Sequence, residues 1–263
     1  MDLAYYFELW QEMMRSKEPG VADSVAWWQE LFVRFYQAFI EGDRWQQYLE
    51  GVGVTLVATA IALAIGIVLG VLVAVVRTAH DQQRPGRPKN PLLGVLNAVC
   101  KVYVTVIRGT PMMVQLLIMG LVIFASNRNK TLIGALSLGI NSGAYVAEII
   151  RGGLMSLDIG QSEAGRSLGL NYIDTMRFIV VPQAFKAILP ALGNEFIVLL
   201  KDTSMISIIG GQELTFFAKN IVNRTYDALF PLIGAAIIYL ILVMIFTWLQ
   251  GKLERRLRQS DRR

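Results

Sequence analysis

The sequence predicts an all-α membrane protein with five transmembrane helices and a cytoplasmic helical elbow between the third and fourth. Three observations carry this. Of 263 residues, 54% are hydrophobic and 17% charged, against about 25% charge in an ordinary soluble domain. Several apolar stretches approach or exceed the roughly 20 residues a helix needs to cross a bilayer. The stretch Arg151–Pro182, by contrast, is too polar to cross one, yet it carries helix signals of its own.

Residues 1–50 form an N-terminal extracytoplasmic or interfacial segment, with nine acidic residues against four basic ones. The first residues lack the basic region and apolar core of a signal peptide, so none is expected. Trp27, Trp28, Leu31, Phe32, Phe35, Ala38 and Phe39 recur at near-helical spacing. Such a face suits either a helix at a membrane–water interface or a small packing element on the membrane domain.

A transmembrane domain is expected over 51–251. Its first span, about 52–76, is free of charge, and Gly66 and Gly70 form a G-x-x-x-G pair that permits close helix approach. Arg77–Pro91 reads as a flexible, basic, proline-rich loop containing His80, either a cytoplasmic loop or, less simply, a phosphate site. Leu92–Ala125 is interrupted by Lys101 and Arg108, seven residues apart and so on one helical face. That predicts an amphipathic lead-in and a span over 104–125, broken at Arg108–Pro111. After a turn at 126–130 comes a span at 131–150, where Glu148 is placed to pair with Arg151.

The elbow, 151–182, has internal design. Asp158 followed by Gln161 resembles a capped helix start with a reciprocal partner. Gly169 supplies a stop. Asn171 and Asp174 start a second helix, and Pro182 is expected to close it. The result is two short helices bent at Leu168-Gly169-Leu170, either a solvated hairpin or a rigid tip made to enter a cleft. A span at 187–209 follows, interrupted by Pro190, Gly193, Glu195 and Lys201-Asp202. A polar segment, 211–227, precedes the last span, 228–250, and a basic cytoplasmic tail, 252–263.

Five spans place the termini on opposite sides. Segments 77–91, 151–186 and 252–263 carry fourteen Lys/Arg, against eight in 1–50, 126–130 and 211–227. The positive-inside rule therefore puts the elbow and tail in the cytoplasm and the N-terminus outside.

Several chemistries are excluded. A single Cys100 and a single His80 leave no disulfide framework and no His/Cys metal site. The net charge of +5 gathers beside apolar segments, so no nucleic-acid partner is expected. Without G-x-x-x-x-G-K-[ST] the chain has no phosphate-cradling loop, and one His supports no Ser/His/Asp triad. What remains are ionisable residues in or beside the spans: Arg108, Glu148, Glu195, Lys201 and Asp202. Such groups mark functional sites by default or else pair at helix ends.

Glu163-Ala164-Gly165, then Gly169, Ile179 and Pro182 resemble the EAA…G…I-x-L-P signature of permease subunits of ATP-binding cassette importers. Gly165 replaces the second Ala, loosening the first helix by roughly 1 kcal/mol, and Val181 replaces Leu. IRGTPMMVQL (107–116), SGAYVAEIIRGGLMSL (142–157), GQSEAGRSLGL (160–170) and VPQAFKAILPALGNEFIVLLKDTSM (181–205) are similar to the polar amino acid branch. The resemblance implies a type I importer fold in a bacterial inner membrane and a second permease subunit, identical or paralogous. It also implies ATPase subunits, which bind ATP and Mg, and an extracytoplasmic amino-acid-binding protein. Glu163, Ala164, Gly165, Leu168, Gly169 and Leu170 would couple to the ATPase, with Glu163 either pairing with a base there or acting near its own helix start.

A zwitterionic cargo needs a cationic donor for its carboxylate and acceptors for its ammonium. Unwound helices expose such backbone groups, so the 108–111 and 190–195 breaks, with Arg108, Thr110 and Glu195, are the expected substrate path. An ion-coupled carrier or channel would need internal repeats or an intramembrane proton relay, and neither is seen. A membrane scaffold would leave the charges in the spans unexplained.

Overall fold

The computed structural model describes residues 27–81, 83 and 90–260, and among these it is helical throughout, with no strand. The first 26 residues, most of the basic stretch before Asn90 and the last three residues lie outside the described residues, and with them the signal-peptide expectation and most of the expected loop.

Helix α1 (Trp27–Phe39) is followed by a turn and by α2 (Arg44–Asp81). Next come α3 (Pro91–Gly109) and α4 (Met112–Leu117), the latter extended by a π turn at Ile118–Ile123. Helix α5 spans Lys130–Met155. The elbow contains α6 (Ile159–Ser167) and α7 (Tyr172–Thr175), and a π turn at Met176–Val180 joins α7 to α8 (Val181–Asp202). A 3-10 segment (Thr203–Ile209), α9 (Leu214–Thr225) and α10 (Leu229–Ser260) complete the chain. Five helical stretches are long and apolar enough to cross a membrane: Glu41–Asp81, Pro91–Gly109, Lys130–Met155, Tyr172–Ile209 and Leu229–Leu257.

The scaffold is the α2–α5 pair. A Cβ on Gly66 would lie 2.8 Å from Ser142 Oγ, and one on Gly70 would lie 2.5 Å from Val146 Cγ1. The G-x-x-x-G pair is therefore the contact stripe, as its spacing predicts. Ala58, Ala62, Leu138, Leu199 and Ile206 continue the core toward α8.

Four expectations are corrected. The second span is α3 itself, not 104–125. Asn90 Oδ1 accepts from the N–H groups of Leu92 and Leu93 at 3.0 and 3.4 Å, and Pro91 pre-sets the first turn. The helix therefore starts early and carries Lys101 and Arg108 on an exposed flank. His80 is not in a loop: α2 runs through it, and its Nδ1 lies 3.1 Å from Asn97 Nδ2 on α3. The 190–195 break is absent. Helix α8 continues through Pro190, whose carbonyl accepts from Gln250 Nε2 of α10 at 3.1 Å. That bond ties α8 to the last span.

The fourth correction is the polar segment 211–227, which is largely a packed helix. Leu214, Ala218 and Ile221 are buried at i, i+4 and i+7 against Tyr48 and Ala235. Glu213, fully buried, caps α9 by accepting from Thr215 N at 2.8 Å and Phe216 N at 2.9 Å, and from Tyr239 OH at 2.8 Å. Burial pushes its carboxyl above the usual range, and these donors pull back against that shift.

Candidate functional site

Two regions hold the residues that the sequence singles out. The first is the elbow. Asp158 caps α6, its carboxylate accepting from Gly160 N at 2.9 Å. Gln161 does not return the bond as a capping box would; its Oε1 instead accepts from Gln183 Nε2 at 2.9 Å, tying the two arms at their base. Leu168 N donates to Ala164 O, Gly169 N to Arg166 O and Leu170 N to Gly165 O, at 3.1, 2.9 and 3.1 Å. These bonds satisfy the last carbonyls of α6, and Gly169 makes the reversal at φ +79°. Asn171 Oδ1 then accepts from Asp174 N at 2.9 Å to open α7.

Pro182 does not close the second helix. It sits in the first turn of α8, after the π turn, where a missing N–H is tolerated. The second arm is therefore continuous with a span. Glu195 lies thirteen residues beyond Pro182, about 20 Å along the same helix at 1.5 Å per residue.

Gly165 has a reason that the sequence pattern hides. It is buried, and a Cβ there would lie 2.7 Å from Thr175 Cγ2 and 2.9 Å from its Oγ1. The helix cost of glycine is exchanged for close approach of the arms. At the tip, Leu168 is 78% exposed and Ile173 72%, while Leu170 turns half inward. The apolar end is thus Leu168 with Tyr172 and Ile173, not the expected Leu168-Gly169-Leu170 triplet. Ala164 and Glu163 lie on the exposed flank, and the Glu163 carboxylate is 3.8 Å from Arg166.

At the elbow's root, Glu148 pairs with Arg151 at 3.2 Å, as its spacing predicts, and also with Arg77 of α2. That second partner lies 71 residues away.

The second region is a polar hub on one turn of α5. Ser142 donates to Glu195 Oε1 of α8 at 2.7 Å. Asn141 Nδ2 donates to Gln115 Oε1 at 3.0 Å. Gln115 Nε2 in turn lies 2.8 Å from Ile107 O, 3.2 Å from Thr110 O and 2.7 Å from Thr110 Oγ1, so this side chain covers two carbonyls where α3 breaks at Thr110-Pro111. The Arg108 guanidinium sits 5.2 Å above the centre of the Tyr145 ring, within cation–π range. Tyr103 OH donates to Ile140 O at 2.5 Å and anchors the same turn.

Arg108, Thr110 and Glu195 are thus attached to one segment, 140–145, though no bond joins Arg108 to Glu195 directly. Asn141, Ser142, Tyr145 and Gln115 were missed as site residues. Their signal was weak: small or neutral polar residues inside apolar runs, with partners remote in sequence. Chemically, the hub offers a cation, a carboxylate and several amide and hydroxyl groups inside a membrane domain, the set a zwitterion requires.

Residues 92–259 match the family described as binding-protein-dependent transport system inner membrane component. The glutamine transport system permease of Escherichia coli (strain K12) is 38% identical over 168 residues, covering 62% of this chain and 77% of that protein. The arginine transport system permease of Bacillus subtilis (strain 168) is 37% identical over 185 residues, covering 65% and 84%. A solved amino acid ABC transporter with histidines superposes with a TM-score of 0.71 at 40% identity, over 80% of this chain and 94% of that one. An inward-facing methionine ABC transporter shares the fold, with a TM-score of 0.69 at 20% identity over 83% and 99%.

Proposed function

Because the chain belongs to the family of binding-protein-dependent transport system inner membrane components and is the non-catalytic permease subunit of an amino acid ABC importer, we propose that its elbow receives the ATPase stroke and its α5 hub handles a polar amino acid. Transporters of this family work with an ATPase, which binds the nucleotide, and with a binding protein. Glutamine and arginine, the cargoes named for its relatives, are the first candidates.

The observation that carries this reading is the unbroken path from the elbow's second arm into α8, which bears Glu195. A rigid helix leaves little slack between tip and hub, so displacement of Leu168 and Ile173 by the ATPase would move Glu195 relative to Ser142. Arg108, held by the Tyr145 ring beside the α3 break, would meet the carboxylate of the cargo. Glu195, with the amide and hydroxyl groups near it, would meet the ammonium. Two copies, or one copy and a paralogue, would enclose the path. The elbow and the end of α10 lie in the cytoplasm, and α1 and α9 lie outside.

The test is receptor-stimulated ATP hydrolysis by the reconstituted complex across a panel of amino acids. Stimulation by receptor loaded with glutamine or a basic amino acid, and not with apolar ones, is expected. Stimulation by apolar amino acids alone would overturn the polar reading.

A further inference from the structure

We propose that α1 is an interfacial anchor that seats in the headgroup and upper acyl region of the leaflet opposite the elbow. This needs the family's membrane setting and nothing from the substrate path or the coupling role. Helix α1, like α2, lies outside the matched residues 92–259, and its role is carried by its own chemistry and contacts.

The helix is split by chemistry. At 3.6 residues per turn, Trp27, Leu31, Phe35, Trp28 and Phe32 fall within one arc of about 140°. All five are exposed, Trp27 at 74% and Trp28 at 55%. Glu30 and Arg34 form an ion pair that flanks the Trp27 edge of the arc. Val33 is buried on the far side, and Ala38, at the end of the arc past Phe35, is buried too, so the exposed apolar surface is that of about the first two and a half turns. An arc this apolar is stable in lipid and costly in water.

Its placement is built in. Gly42 and Asp43 both adopt positive φ, +60° and +54°, which turns the chain sharply between α1 and the first span. Arg44 holds that turn, donating to Gln37 O and to Glu41 Oε2, the latter at 2.8 Å. The Phe39 ring stands 5.4 Å from that of Tyr48 and covers Gly234, where a Cβ would lie 2.5 Å from Phe39 Cε1. The Phe35 ring lies 6.2 Å edge-on to Phe230. Helix α1 thus clasps the outer ends of the first and last spans.

Continuity identifies the occupant. Leu229, Leu232 and Ile233, on the first turns of α10 beside Phe230, are exposed on a helix that crosses the membrane. The apolar arc of α1 extends that lipid-facing surface around the end of the span. Two tryptophans at its edge suit the headgroup level, where amphipathic rings collect.

The test uses the full-length permease with its ATPase, in nanodiscs of phosphatidylethanolamine and phosphatidylglycerol. In a Cys100→Ala background, a bimane is placed at Leu31→Cys or at Gln37→Cys. An apolar face buried about 5–10 Å below the headgroup boundary predicts strong quenching at position 31 by lipid spin-labelled near the carbonyl. Quenching there by deep-labelled lipid or by aqueous iodide should be weaker. At position 37 iodide should dominate. Trp28→Cys repeats the measurement should Leu31→Cys fail to fold. Iodide quenching at 31 and 28 equal to that at 37 would overturn the proposal. Protection from both iodide and lipid would also overturn it, showing that a protein covers this face instead.

Discussion

In the elbow, most of the ordering bonds close within a few residues: Asp158 on Gly160, Asn171 on Asp174, Leu170 on Gly165. At the hub, the key bonds join residues 26 and 53 positions apart. The elbow is therefore specified by its own stretch of chain and stands out in solvent with an apolar tip. The hub exists only once α3, α4, α5 and α8 have packed, and the close α2–α5 contact at Gly66 fixes where Ser142 points. Damage to the first should separate ATP hydrolysis from transport while the spans stay folded. Damage to the second should alter what passes while the ATPase still answers.

The largest effect is expected at Gly169. Its φ of +79° is one that a β-branched residue adopts at a cost of about 1–3 kcal/mol. Gly169→Val should relieve that strain by redirecting α7. In proteoliposomes, ATP hydrolysis should lose its response to loaded receptor, with thermal unfolding of the complex little changed. Retained coupling at the parental rate would show that the tip does not transmit, and the contrast between the two regions would fall.

Next is Glu195. A hydrogen bond to a charged group contributes about 1.5–3 kcal/mol, so Glu195→Gln should lower uptake of labelled amino acid by roughly tenfold or more if the carboxylate meets the cargo. Receptor-stimulated hydrolysis should remain. Ser142→Ala, which removes one donor without adding bulk against Gly66, should have the same sign and a smaller size. Failure of Glu195→Gln to assemble would make Glu195 a structural residue.

This contrast also governs how much could be read from the chain. Five spans, the Gly66/Gly70 stripe, the Asp158 cap, the reversal at Gly169 and the Arg108–Pro111 break follow from local chemistry, and the structure has them. Pro182 and Pro190 misled because proline ends a helix in water, whereas here a π turn leads into Pro182 and the helix runs on through Pro190. Glu213–Tyr239 and Glu148–Arg77 were illegible because each pairs residues that meet only through packing. Helix α9 was missed because overall polarity masked the i, i+4, i+7 pattern of Leu214, Ala218 and Ile221.

Gly165 sharpens the comparison from inside the elbow. The family pattern places Ala there, yet in this chain an added Cβ meets Thr175. Gly165→Ala should therefore gain helix propensity and still destabilise, since overpacking costs about 1–3 kcal/mol. Thr175→Ala in the same chain should restore much of the coupling, because it removes the two nearest atoms and leaves only the flexible end of Ile179, at 3.1 Å, to give way. The measurement is receptor-stimulated hydrolysis of the two single variants and the pair. Equal loss in Gly165→Ala with and without Thr175→Ala would mean that the arms are not in contact during coupling.

The smallest effect on the fold is expected at Glu163, where the sequence left two roles open. The structure narrows them. Glu163 is the fifth residue of α6, past the four whose N–H groups lack an intrahelical partner, and Asp158 already caps Gly160 N there. Its internal partner Arg166 is 3.8 Å away with both side chains largely exposed, the kind of pair that contributes little to stability. Neither Glu163→Gln nor Arg166→Ala should move the unfolding temperature. They should differ in holding the ATPase. If Glu163 faces a basic group on that subunit, Glu163→Gln should release it at lower salt than the parent. Arg166→Ala should hold it to higher salt, because a competing cation is gone. Screening over about 8 Å at physiological ionic strength makes a salt titration of ATPase retention the sensitive readout. Identical release curves for parent, Glu163→Gln and Arg166→Ala would remove Glu163 from the docking surface and leave the apolar tip to make the contact alone.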